Sequence, residues 1–159
     1  MAAILYPLVN GNRHDWSSLD IKVLGVSVFG IKSLDYNDEL TPGKVYGSGA
    51  QKIARTRGQY DADASIEFYR AEWTELVVPL ILAAPQNKGL GLLECTWNID
   101  VNYLSEGGLP TTTDNIVGCR LTKPSHSGSA GSDAIAIKCD IDVMYIIRNG
   151  VVPITNLKK

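Results

Sequence analysis

Apolar and polar residues alternate with period two along most of the chain. In 59–68, Tyr60, Ala62, Ala64, Ile66 and Phe68 alternate with Gln59, Asp61, Asp63, Ser65 and Glu67. In 93–103, Leu93, Cys95, Trp97, Ile99, Val101 and Tyr103 alternate with Glu94, Thr96, Asn98, Asp100 and Asn102. Over 134–147, Ile135, Ile137, Cys139, Ile141, Val143, Tyr145 and Ile147 fall on one side, opposite Lys138, Asp140 and Asp142. Successive side chains of a strand point to opposite faces, so each stretch predicts a strand with one buried and one wetted side. The segments 20–29 and 31–40 predict two more strands, with Gly30 permitting a tight connection, and 115–122 predicts a shorter one. The fold class that follows is mainly β, an antiparallel sandwich or barrel.

One stretch breaks the alternation. Across 70–84, Trp73, Leu76, Val77 and Leu80 recur at i, i+3, i+4 and i+7, and Ala71, Glu72 and Glu75 suit early helical turns. This predicts one flanking α-helix at about 70–84. Pro79 removes a backbone donor and is expected to kink or end it, so the firm part lies near 70–78. The apolar stripe is expected to cover the open side of the sandwich. Two segments read as long loops. One is 41–58, punctuated by Pro42, Gly43, Gly47, Gly49 and Gly58; the other is the Ser/Gly-rich 123–133.

A length of 159 residues fits one domain over 1–159. Fifteen Lys and Arg against seventeen Asp and Glu leave a formal charge of −2. That balance argues against a nucleic-acid binder relying on a cationic footprint. Cys95, Cys119 and Cys139 form no CxxC, and an odd, sparse set points to a reducing compartment at synthesis. Met1 to Leu8 lack a basic n-region and a long apolar stretch, so no signal peptide is read. The longest apolar run, 76–84, is about half of a bilayer span, and no membrane anchor is expected.

Candidate chemistry is sparse. Gly47-Ser48-Gly49 lacks the glycine spacing, the GK[ST] ending and the following helix of a phosphate loop. His126 among Ser125, Ser127 and Ser129 invites a Ser/His pairing, but a Ser/Gly linker supplies neither a fixed base nor an oxyanion site. His14-Asp15 reads as a turn pair. No His/Cys spacing suits zinc, and aspartates alternating along a strand do not converge on a cation. Neither an enzyme nor a metal or other cofactor is expected. The polar sides of the three clearest strands carry Asp61, Asp63, Glu67, Glu94, Asp100, Asp140 and Asp142 against Lys138. Such a face is either an ordinary wetted surface or a wall along which a polyanion passes without sticking. The 41–58 segment holds Lys44, Lys52, Arg55 and Arg57 with Tyr46, either as a solvated basic loop or as an arm reaching another subunit.

The order of these features resembles the bacteriophage tail tube proteins, a family that shares its fold with the tube subunit of type VI secretion. The resemblance is carried by Asn10-Gly11 and Trp16-Ser17 before the first strands, by VYGSGAQKIARTRGQYDADASIEFYRAEW at 45–73, and by TDNIVGCR at 113–120. The Ser/Gly loop and a closing strand that ends in Asn149-Gly150 complete it. It implies a small β-sandwich flanked by a helix, six of which join their inner sheets into a ring. Rings stack into a tube through which DNA passes without specific binding. It implies sheath or other tail proteins as partners and a place in the virion tail after synthesis in the host cytoplasm. On this reading Asp61, Asp63, Glu67, Glu94, Asp100, Lys138, Asp140 and Asp142 face the lumen, while Lys44, Tyr46, Lys52, Arg55 and Arg57 belong to the intersubunit arm. The alternatives are a tail-terminator or baseplate-hub component of the same fold, or a monomeric β-sandwich module that binds a ligand.

Overall fold

Alternating side chains build one antiparallel sheet with a core face and a wetted face. The computed structural model describes residues 19–103, 111–128, 130–131 and 134–154. The expectations at 1–8, Asn10-Gly11, His14-Asp15 and Trp16-Ser17 lie outside the described residues, as do Ser129, Ser132 and Asp133 of the Ser/Gly segment. Strand β1 (Leu19–Val23) turns into the short β2 (Val26–Ser27), and β3 (Ile31–Thr41) follows. A separate hairpin, β4 (Lys44–Tyr46) and β5 (Lys52–Arg55), precedes β6 (Gln59–Tyr69). Helix α1 covers 70–83, and β7 (Thr96–Tyr103), β8 (Thr112–His126), β9 (Ala136–Val143) and β10 (Tyr145–Arg148) complete the chain. The sheet order is β2-β1-β7-β8-β9-β6-β3, with β10 also paired to β8.

The mainly antiparallel β architecture with one flanking helix is as expected, and the sheet is open, not a closed barrel. Arg120 pairs with Asp142 and Val117 with Tyr145, so β10 continues the register of β9 along β8. The break between them falls at Met144, opposite Gly118. Gly118 has φ 71°, and a Cβ there would lie 2.4 Å from Met144 Cγ. This irregularity corrects the expected 134–147 face. Ile135 is exposed, and beyond Met144 the adjacent Tyr145 and Ile146 are both buried.

The sheet rolls about its core face. Tyr36 of β3 and Tyr103 of β7 are distant in strand order, yet their hydroxyls are 2.6 Å apart. Inside the roll lie Val23, Ile66, Phe68, Trp97, Ile99, Ile116, Ile137 and Ile146, all buried. Helix α1 adds Trp73, Val77 and Ile81 from one stripe, with Leu76 and Leu80 partly buried at its margin. It runs through Pro79 where an end or kink is predicted at 78. Trp73–Val77 forms a π turn just before the proline, and that wider turn opens the backbone ladder where Pro79 lacks its donor. Asn87, buried beyond the helix, donates to Ile81 O and Thr96 O and accepts from Thr96 N, each at 2.9 Å. It fastens the helix end to the start of β7.

Other expected boundaries shift for local reasons. Leu24 and Gly25 take φ of 51° and 82° and turn the chain within 20–29, so one predicted strand is a hairpin. The predicted loop from 123 is strand through His126. There β7 has ended opposite Arg120, leaving an open edge where Pro124 is tolerated. The predicted 115–122 strand is accordingly longer at both ends. Among the described residues no helix is long and apolar enough to cross a membrane.

Trp73 is 5% exposed and its ring centroid lies 5.6 Å from that of Phe68. Trp73→Ala is expected to cost about 3–5 kcal/mol, read as a large fall in the urea or thermal midpoint. An unchanged midpoint would place the indole outside the core.

Candidate functional site: a polar sheet face and a projecting hairpin

Register lines up the wetted residues of β3, β6, β9 and β8 into rows. Asn37, Asp63 and Asp142 share one row, continued by Arg120 on β8. Asp35, Ser65 and Asp140 share the next, continued by Lys123; Ser33, Glu67 and Lys138 share a third. Asp61 pairs with Glu39 at the end from which the hairpin projects. An open groove of about 380 Å³ crosses these rows, lined by Asp35, Asn37, Asp63, Thr122, Asp140 and Asp142. The ion pairs among the described residues lie outside this groove, at Lys22–Asp20 (3.8 Å) on β1 and at Arg148–Asp38 (2.7 Å).

Asp61, Asp63, Glu67, Lys138, Asp140 and Asp142 are thus brought together on two adjacent strands. Asp100 occupies the same face on β7, between Lys22 and Asn115, and accepts from Asn115 Nδ2 at 2.7 Å. The β7 half of the face is built largely of amides and hydroxyls: Asn102 accepts from Thr113 Oγ1 at 2.8 Å and Asn98 from Gly118 N at 3.0 Å. Glu94 does not join the wall as expected. It lies in a 3₁₀ turn, Leu92–Glu94, because Asn87 takes the Thr96 N–H and the strand begins only there. Six charged members escaped the sequence reading: Asp20 and Lys22 on β1, Asp35 and Glu39 on β3, and Arg120 and Lys123 on β8. The alternation Asp35, Asn37, Glu39 within 31–40 was the available signal.

The expected loop at 41–58 is mostly a two-stranded hairpin. Lys44 pairs with Arg55 and Tyr46 with Lys52, while Val45 pairs with Ala54, so cations and the tyrosine share one side opposite Val45 and Ala54. Every residue of both strands is exposed, with Tyr46 at 56% and Ile53 at 68%. With no buried side, the sequence shows no alternation to read. The root is closed by Thr56 N donating to Gly43 O and Gly43 N to Thr56 Oγ1, both at 2.8 Å. Gly58 has φ 82°, and a Cβ there would stand 2.3 Å from Thr41 O, so main chains meet closely at the base. Arg57 sits at this base beside a groove of about 740 Å³ with Leu40, Tyr60, Val152 and Ile154.

A polar clasp closes the roll of the sheet. The Tyr36 hydroxyl donates to Asp114, so the Tyr103 hydroxyl donates to Tyr36. Tyr60 donates to Asp38 at 2.7 Å and accepts from Ile146 N at 3.2 Å, and Asp38 pairs with Arg148. Burial, then the Asp38 carboxylate, pushes the Tyr60 hydroxyl up to about 12; burial, then Asp114, raises Tyr36 further. Both phenols stay protonated donors near neutrality. Cys119 and Cys139 are buried and pushed up to about 12 by desolvation, which keeps them as thiols. His126 ends β8, and its Nδ1 accepts from Arg70 at 3.0 Å, the guanidinium having only donors. Among the described residues no group of three His, Cys, Asp or Glu is placed to hold a metal ion.

No family model matches the sequence, and no curated protein matches it. The fold, however, is that of known tube-associated proteins. A sheath/tube terminator of an extracellular contractile injection system, PVC in its extended state, superposes with a TM-score of 0.66 at 10% identity. The match covers 92% of this chain and 99% of that one. A chain of the PVC sheath-tube complex in the extended state gives a TM-score of 0.63 at 13% identity, over 90% and 91% of the two chains. A chain of the anti-feeding prophage tube-terminating cap gives 0.59 at 12% identity, over 92% and 93%. The chain therefore shares the fold of tube and terminator proteins of contractile injection systems.

The clasp makes stability acid-sensitive. The Arg148 guanidinium, with help from Tyr60, holds the Asp38 carboxyl below its ordinary value. A depressed native value stabilises the fold above the unfolded carboxylate range, about 3.9, and the gain is lost as pH falls through the native value. Urea midpoints are expected to fall below about pH 4, and Arg148→Ala to flatten that dependence while lowering the neutral midpoint. An Arg148→Ala profile parallel to wild type would show that the pair does not carry the effect.

Proposed function

We propose that this chain is a tube subunit of a phage tail or related injection machine, forming hexameric rings that stack around a channel. The observation carrying the proposal is the superposition on tube and terminator proteins over nine-tenths or more of this chain. The wetted sheet face supports the same reading. Six subunits presenting Asp61, Asp63, Glu67, Asp140 and Asp142 inward would make a negative wall that repels DNA from every side, leaving it free to slide. Arg120 and Lys123 at the β8 margin, with Lys138 opposite Glu67, would temper repulsion between neighbouring carboxylates, so assembly should depend on salt. Among the described residues the outer edge of β3 and the part of β8 beyond Arg120 carry no second partner strand, and both would be available to neighbours around a ring. The basic hairpin would reach an adjacent ring, and sheath or other tail proteins would surround the tube.

Electron microscopy of purified protein tests the proposal directly. Rings stacked into hollow tubes are expected; a monomer at all concentrations would overturn it and favour a ligand-binding module. The superposition on a terminator, with 99% of that chain covered, favours a second reading as a tube terminator, which would form rings that do not stack.

Asp61→Lys with Asp63→Lys tests the wall. Lysines facing the lumen would hold successive phosphates, so assembled particles should stay intact but pass DNA more slowly. Unchanged passage, with both positions on the tube exterior, would refute the inward assignment.

A further inference from the structure

We infer that Phe29, with Ile135 and Glu72, forms the seat for the hairpin of a second copy stacked end to end; this rests on the reading of the chain as a stacking subunit. Phe29 is 90% exposed, an extreme value for an aromatic side chain, and Ile135 is 55% exposed. The two lie at one end of the β3–β6–β9 ladder. Phe29 precedes β3, whose Ile31 pairs with Phe68, and Ile135 precedes Ala136, which pairs with Tyr69. The hairpin projects from the other end, beyond Thr41 and Gln59. Eleven residues of β3 set the two ends about 35 Å apart.

The two ends are chemically complementary. A solvent-surrounded two-stranded hairpin is marginal by itself, and this one exposes Val45, Tyr46 and Ile53 beside Lys44, Lys52 and Arg55. At the far end Glu72 packs against Gly30, next to Phe29, so closely that a Cβ on Gly30 would stand 2.4 Å from Glu72 Oε2. Glu72 makes no ion pair with any described residue, while the Arg70 guanidinium nearby keeps its charge and is directed toward His126, to which it donates. The seat therefore offers an aromatic, an aliphatic and an unpaired carboxylate to an arm carrying apolar and cationic groups. Because arm and seat sit at opposite ends of one rigid ladder, the contact is head-to-tail and does not close on itself. Repetition gives an open stack.

Cross-linking tests the contact without relying on the appearance of tubes. Phe29→Cys and Ile53→Cys replace exposed side chains, and the three native cysteines are buried. Mixing the two variants with a short bis-maleimide should yield a dimer that neither variant gives alone. Lack of that dimer, while wild type forms tubes, would overturn the seat and leave the tube reading standing. The dimer without tubes would do the reverse. The charge arm is read independently. Glu72→Lys should raise the concentration needed for assembly about tenfold, and Lys32→Glu, at the start of β3, should lower it. Equal responses to both changes would overturn the electrostatic part of the contact.

Discussion

Strand β8 carries a ladder to β7 on one side and to β9 and β10 on the other, and the position of its irregularities determines the shape of everything else. Its first half belongs to one half of the sheet and its second half to the other. Register shifts near Gly118 and again after Leu121 bend and twist it where the halves meet. A straight β8 would leave the sheet flat, with the core face wet. The bent one rolls the sheet until β3 faces β7 across the apolar interior, and α1 covers what remains open. Gly118 permits this because a side chain there would collide with Met144.

Rolling creates a second requirement, since the strands that meet across the interior are not joined by backbone hydrogen bonds. Tyr36, Asp114 and Tyr103 bridge part of that seam, and Asp38, Arg148 and Tyr60 another. Each phenol combines a ring that extends the core with a hydroxyl that reaches a partly buried carboxylate. A partly buried carboxylate without such donors would destabilise the seam. The clasp thus fixes β3 in place from its core side, while its outer edge pairs with no other described strand.

The sequence made legible whatever alternation or helical spacing records. The strands at 59–68 and the middle of 134–147, the helix stripe from Trp73, and the inward cysteines all follow from period alone. Features that depend on contacts between distant segments were hidden. Glu94 fits the alternation of β7 yet lies outside the strand, because Asn87 caps the strand start from nine residues away. Pro79 reads as a breaker, yet the π turn accommodates it. The hairpin at 44–55 left no pattern, since alternation arises only where one side is buried. Of the polar face, the carboxylates on β6 and β9 were readable. Their neighbours Arg120 and Lys123 were not, because only strand pairing sets them beside those carboxylates.

Pairing also explains why the charge on the sheet is distributed as it is. Asp63 stands directly opposite Asp142, and like charges at directly opposed positions weaken a ladder. The chain limits this by flanking Asp63 with the neutral Asn37, by setting Ser65 between Asp35 and Asp140, and by closing the two rows with Arg120 and Lys123. Acid then dominates toward β3 and base toward β8. The same four strands present unlike charge at their two margins and like charge across their middle. In a closed ring of such sheets, head-to-tail neighbours would bring the basic margin of one against the acidic margin of the next, while the middle kept its negative field. On the proposed function, attraction between subunits and repulsion of a polyanion would be compatible on one surface, because they would fall to different strands of it.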